Sequence, residues 1–132
     1  MRYVLIVAAM LAAGSAAADD KCGSASSEIL ALKEWSASPG DYGSVSVRLK
    51  IGNKTDKQIR MVKAAAIFID PFGDDIARLA IDPDVTIPAN GDIEEKGSWS
   101  AARLVKVRPQ DVTTTVCVSA VLYEDGSKEE FR

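Results

Sequence analysis

The chain predicts an all-β fold, a two-sheet sandwich of seven to eight short strands closed by one disulfide. Three observations carry that prediction. Apolar residues alternate with polar ones at period two, turn residues recur about every 8 to 15 positions, and exactly one pair of cysteines, Cys22 and Cys117, is present.

The first 18 residues stand apart. Arg2 precedes an apolar run from Tyr3 to Ala13, and small residues follow to Ala16-Ala17-Ala18. This order predicts a secretory signal peptide cut between Ala18 and Asp19. The uncharged stretch from Tyr3 to Ala18 falls short of the roughly 20 apolar residues that span a bilayer, so no stable membrane insertion is expected after cleavage. Asp19, Asp20 and Lys21 precede Cys22, where a lipidated cysteine would follow small residues. Residues 19–132 then make a single domain, exported and periplasmic, with an extracellular location as the alternative.

Processing removes Arg2 alone among charged residues and leaves 15 basic against 19 acidic side chains, a balance of −4. Mild acidity argues against a phosphate-backbone partner, so no nucleic acid is expected. The nearest basic patch, "RLVKVRP" with Arg103, Lys106 and Arg108, reads as a strand or extended segment with solvated charges. In an oxidising compartment Cys22 and Cys117 are expected to pair, closing a loop of about 95 residues.

In chain order, "SSEILALKEW" opens the domain. Ile29, Ala31, Lys33 and Trp35 alternating with Leu30, Leu32 and Glu34 favour an edge strand; a short helix capped by Ser26 or Ser27 is the competing reading. "SVSVRLKI" places Val45, Val47, Leu49 and Ile51 on one face, which predicts a half-buried strand ending at the loop 52–58. That loop holds the weak glycosylation match Asn53-Lys54-Thr55. "IRMVKAAAIFID" is apolar on both faces, as expected of a central strand.

Its end, "DPFGDD", reads as a type I turn with Asp70 first, Pro71 second and Gly73 fourth. Gly73 can take the left-handed conformation of a hairpin bulge, and the Asp70 carboxylate can accept from the turn's own N–H groups. The rival is a calcium site. The helix-loop-helix pattern fails at Phe72, Asp75 and Ile81, leaving only a surface site without fixed signature, from Asp70, Asp74 or Asp75 with Asp82 and Asp84.

Asn90-Gly91 and Asp125-Gly126 predict two further hairpins, each supplying two residues of positive φ. The last long run alternates Val112, Thr114, Val116, Val118, Ala120 and Leu122 against Thr113, Thr115, Cys117, Ser119, Val121 and Tyr123. With the first set on the core, Cys117 points outward, and the disulfide pins the N-terminal segment across the outside of a sheet.

Gly52-Asn53, Phe68-Ile69-Asp70, Gly73 and Pro88 to Gly91 together resemble the FxLYD-type and related immunoglobulin-like domains of exported bacterial proteins over residues 44–95. The motif's tyrosine is replaced by Ile69 or offset to Phe68. The resemblance implies an immunoglobulin-like sandwich acting as an interaction or spacer module, with no catalytic residues to carry over.

Histidine is absent, which removes imidazole bases and histidine-ligated metals. No phosphate loop, dinucleotide fingerprint or nucleophile elbow occurs. The expectation is a non-enzyme without cofactor that binds another protein or cell-envelope component through a sheet edge or loop rim. A small secreted inhibitor or ligand-binding protein is the alternative, and a carboxylate-based glycan enzyme the third reading. Trp35 and Trp99 are the candidate partner contacts, against a packing role for both rings.

Overall fold

The computed structural model describes residues 21–132, so the expected cleavage site at Ala18 and Asp19 lies outside the described residues. Seven strands are described: β1 Leu30–Pro39, β2 Val45–Asn53, β3 Ile59–Ile69, β4 Asp75–Ala80, β5 Asp92–Trp99, β6 Thr113–Tyr123 and β7 Lys128–Glu130. They form two antiparallel sheets, ordered β1-β2-β5 and β4-β3-β6-β7. Three hairpins stay within a sheet, and the β2–β3, β4–β5 and β5–β6 connections cross between sheets. This is an immunoglobulin-like partition, with β4, the second strand of the central hairpin, in the second sheet.

Alternation explains the facing surfaces. Val45, Val47, Leu49 and Ile51 of β2 are buried against Val62, Ala66 and Phe68 of β3 and Val116 and Val118 of β6. Trp35 and Phe68 join the sheets edge-to-face, with ring centroids 5.0 Å apart. Within "SSEILALKEW" the strand β1 begins at Leu30, after bends at residues 27–29, and it is an edge as expected.

The strand registers nevertheless shift four times, one of them between β3 and β4 at Phe68 and Ile69. The β1–β2 register shifts between Leu32 and Glu34, which lets Leu32 and Trp35 both pack on the core despite their odd spacing. The β3–β6 register shifts between Ile59 and Met61 and again between Lys63 and Ala64, opposite Val118 and Ala120. The extra residue on β6 is Ser119. Beyond it the phase reverses: Val121 and Tyr123 are buried, and Ala120 and Leu122 turn outward, correcting the single alternating face expected for this strand.

Outside the second sheet, Ile67, Ile69 and Cys117 form a smaller cluster with Cys22, Ala25 and Ala65. Cys22 and Cys117 are disulfide-bonded, and Ser26 exchanges both backbone hydrogen bonds with Val118 at 2.8 Å. The N-terminal segment thus covers the outer face of β3 and β6, wraps past Val118 and delivers Ile29 and Leu30 into the core. Gly52 serves a close approach on the other sheet. Lys33 of β1 and Asp92 of β5 meet at 2.7 Å across it, where a β-carbon would come within 2.6 Å of the lysine Cε.

Candidate functional site: the loop end

Strand register sets which loops gather. Pro39 pairs with Val45 and Val45 with Trp99, so the β1–β2 turn and the segment after β5 share one end of the first sheet. Ile69 pairs with both Asp75 and Thr113, which places the β3–β4 turn and the start of β6 at one end of the second sheet. A 3-10 turn at Ala102–Val105 contacts β1, β2 and β4, joining the two ends. Its Ala101 and Leu104 are buried, while Arg103, Val105 and Lys106 are exposed. The basic stretch is therefore a pair of helical turns, completed by Pro109–Asp111, in place of the expected strand or extended segment. Leu104 and Val107 lie three apart, a helical spacing that a period-two reading misses.

At the β3–β4 turn the Gly73 N–H donates to the Asp70 carbonyl at 3.0 Å, and Gly73 has φ 84°. Asp70 Oδ1 accepts from the Phe72 and Asp74 N–H groups at 2.9 and 3.0 Å, and Oδ2 lies 3.6 Å from Arg103 Nη2. These contacts, the Asp74 N–H foremost, hold the Asp70 carboxyl below the usual aspartate value. The turn leaves Pro71 at its corner and Phe72 89 % exposed.

Tyr42 occupies the β1–β2 turn at φ 55° and ψ 38°, and its side chain is fully exposed. A tyrosine in the left-handed region costs about 1 to 2 kcal/mol, with no burial here to offset it. Tyr42, Phe72 and Val105, each on a different loop, are three of the four large apolar side chains exposed among the described residues; Met61 is the fourth. Between the β3–β4 turn and residues 103–112 lies an open cleft of about 300 Å³, floored by Ile76 and Val112 and edged by Lys106 and Arg108. Among the described residues, neither of those two cations makes an ion pair.

The other candidate residues sit elsewhere. Trp35 and Trp99 are half-buried and pack on the core. Asn90 has φ 54°, but Gly91 does not share the positive range, and the Gly91 N–H donates to the Pro88 carbonyl. With asparagine third, Pro88–Gly91 is a turn leading into β5 rather than the expected two-residue hairpin. At the β6–β7 hairpin only Gly126 has positive φ, at 89°, and its N–H donates to the Tyr123 carbonyl. This is the same bulged hairpin as at Asp70, correcting the two-residue loop expected at Asp125-Gly126.

The acidic residues do not converge. Asp75 is paired with Lys21 at 3.0 Å, and Asp82 and Asp84 lie beyond the far end of β4, roughly 23 Å along an extended strand from Asp75. Among the described residues no group of three potential ligands can hold a metal ion. Glu94 points outward to Arg48 at 3.1 Å, whereas its neighbour Glu95 turns toward the protein interior. Asn53 of the glycosylation match is only 4 % exposed, and its amide donates to the carbonyls of Lys57, Ile87 and Pro88.

Among the described residues no helix is long and apolar enough to cross a membrane. Compared with protein-family models the chain matches none, and no curated protein matches it.

Proposed function

We propose that the protein is an exported, non-catalytic binding module whose contact surface is the loop end of the sandwich, engaging another protein or a cell-envelope component. The observation that supports this reading is the exposure of Tyr42, Phe72 and Val105 on three loops of one end, with Phe72 beside two cations that make no ion pair among the described residues. Apolar side chains held in water on separate loops, one with an unfavourable backbone, are unfavourable for the isolated fold and become favourable on contact. The rigid sheets position them, and loops on a rigid scaffold are where recognition concentrates.

A photo-crosslinking amino acid at Phe72, expressed in the native host, tests it. Adducts should form at Phe72 and be absent when the same group replaces Asp56, which is exposed on the β2–β3 loop. Equal labelling at both positions, or none at Phe72, would sink the reading.

A further inference from the structure

We propose that this loop end docks peripherally on an anionic phospholipid surface, an inference that rests on the binding-module reading. Tyr42 and Phe72 stand at the tips of turns belonging to opposite sheets, and Val105 lies on the segment that joins them. Such projecting tips suit a soft layer that closes around them. Tyrosine, phenylalanine and valine can enter the boundary between headgroups and acyl chains, the tyrosine ring keeping its hydroxyl wet.

Charge complementarity selects the headgroup. The chain is acidic overall, yet residues 103–108 carry Arg103, Lys106 and Arg108 with no carboxylate between them. Lys106 and Arg108 edge the cleft beside Phe72, where a lipid phosphate would meet an ammonium and a guanidinium while its chains met the apolar tips. Of the carboxylates at this end, Asp70 is engaged by its own turn and Arg103, and Asp75 by Lys21. Asp41, Asp74 and Asp111 remain. The attraction is therefore local to the 103–108 segment, and docking is weak and reversible.

The test measures partitioning of the chain beginning at Asp19 onto vesicles. One set mixes phosphatidylglycerol and phosphatidylcholine in equal parts, and the other is phosphatidylcholine alone. The chain beginning at Asp19 contains all of residues 21–132, both cysteines included, so it retains the whole described fold. Binding is expected on the mixed vesicles and at least tenfold weaker on the zwitterionic ones. Tyr42→Ser with Phe72→Ser should lower it about tenfold or more, and Lys106→Gln or Arg108→Gln about fivefold each. All four positions are exposed, and an unchanged near-ultraviolet circular dichroism spectrum confirms the fold.

Equal binding to both vesicles, indifference to the four substitutions, or no binding overturns the proposal. If vesicles fail while a protein adduct forms at Phe72 in cells, the lipid inference falls and the binding-module reading stands. Failure of both removes both.

Discussion

Glu95 on the edge strand β5 reaches inward to accept the Asp82 backbone N–H at 2.8 Å through Oε1, and its Oε2 is buried without a partner among the described residues. An inward-pointing charge on an edge strand discourages another strand from adding there. Burial, and to a smaller extent the Asp82 carboxylate, pushes the Glu95 carboxyl above the ordinary glutamate value of 4.5. In that window the fold holds a proton that the unfolded chain has released, so this group's contribution to stability falls as pH rises from 4.5 through the folded value. Glu95→Gln keeps an acceptor for Asp82 and removes the charge. It should flatten that slope and raise the urea midpoint at neutral pH; an unchanged slope would assign it to another group.

Asp125 titrates in the opposite sense. The Ser127 hydroxyl and backbone N–H donate to Oδ1, Lys57 lies 3.3 Å from Oδ2, and the carboxyl is lowered to about 2. Its contribution is present above the ordinary value of 3.8 and is lost as pH falls toward about 2. Asp125→Asn should lower stability at neutral pH and weaken the acid limb of the stability profile, leaving the Glu95 window untouched.

Replacing Cys22 and Cys117 by serine together opens a loop with a sequence separation of 95. The expected loss is roughly 4 to 5 kcal/mol on the chain-entropy account. The main core excludes both sulfurs, so native circular dichroism should persist at low urea while the unfolding midpoint drops. A midpoint insensitive to reductant in the wild-type protein would contradict the bridge.

Asn53 ties the end of β2 to the turn before β5. Besides its three amide contacts, its Oδ1 accepts from the Thr55 N–H and hydroxyl at 2.9 and 2.8 Å. Asn53→Ala strands several carbonyls and should cost at least about 2 kcal/mol in chemical unfolding. A glycan on this amide is incompatible with these bonds, so the folded protein offered to an oligosaccharyltransferase should gain no mass at Asn53.

Deletion of Ser119 tests the reversal of phase on β6. Without the extra residue, plain alternation onward from Val118 would still place Val121 and Tyr123 on the core and Ala120 and Leu122 outward. The deletion should therefore retain cooperative unfolding, and Ser119→Ala should change stability by less than about 1 kcal/mol; loss of the cooperative transition on deletion would contradict Ser119 as the extra residue.

Phase shifts of this kind mark the boundary of what is legible in the chain. The apolar face of β2 follows from Val45, Val47, Leu49 and Ile51 because one buried face enforces one period. The two-faced burial of Ile67 to Ile69 and the outward Cys117 follow as well, since β-branched and aromatic runs without polar alternation belong to covered strands. At the Asp70 turn each residue type suits its own backbone position, so local chemistry suffices. The bulges carry no such mark: which residue is left unpaired depends on a partner strand far away in sequence.

The candidate site was legible only in pieces. Arg103, Lys106 and Arg108 stand out in the sequence, but alternation with Leu104, Val105 and Val107 suggests an extended segment, and burial of Ala101 and Leu104 beneath both sheets winds it into turns instead. Tyr42 and Phe72 carry no sequence signal for exposure, because a turn aromatic can equally fold back onto the core. By itself the sequence determined the strands, the turn at Asp70 and the one possible cysteine pairing, all of which depend on neighbours or on elimination. Tertiary structure alone decided which loops share an end and which side chains face water, because strand order and register are settled by contacts between residues distant along the chain.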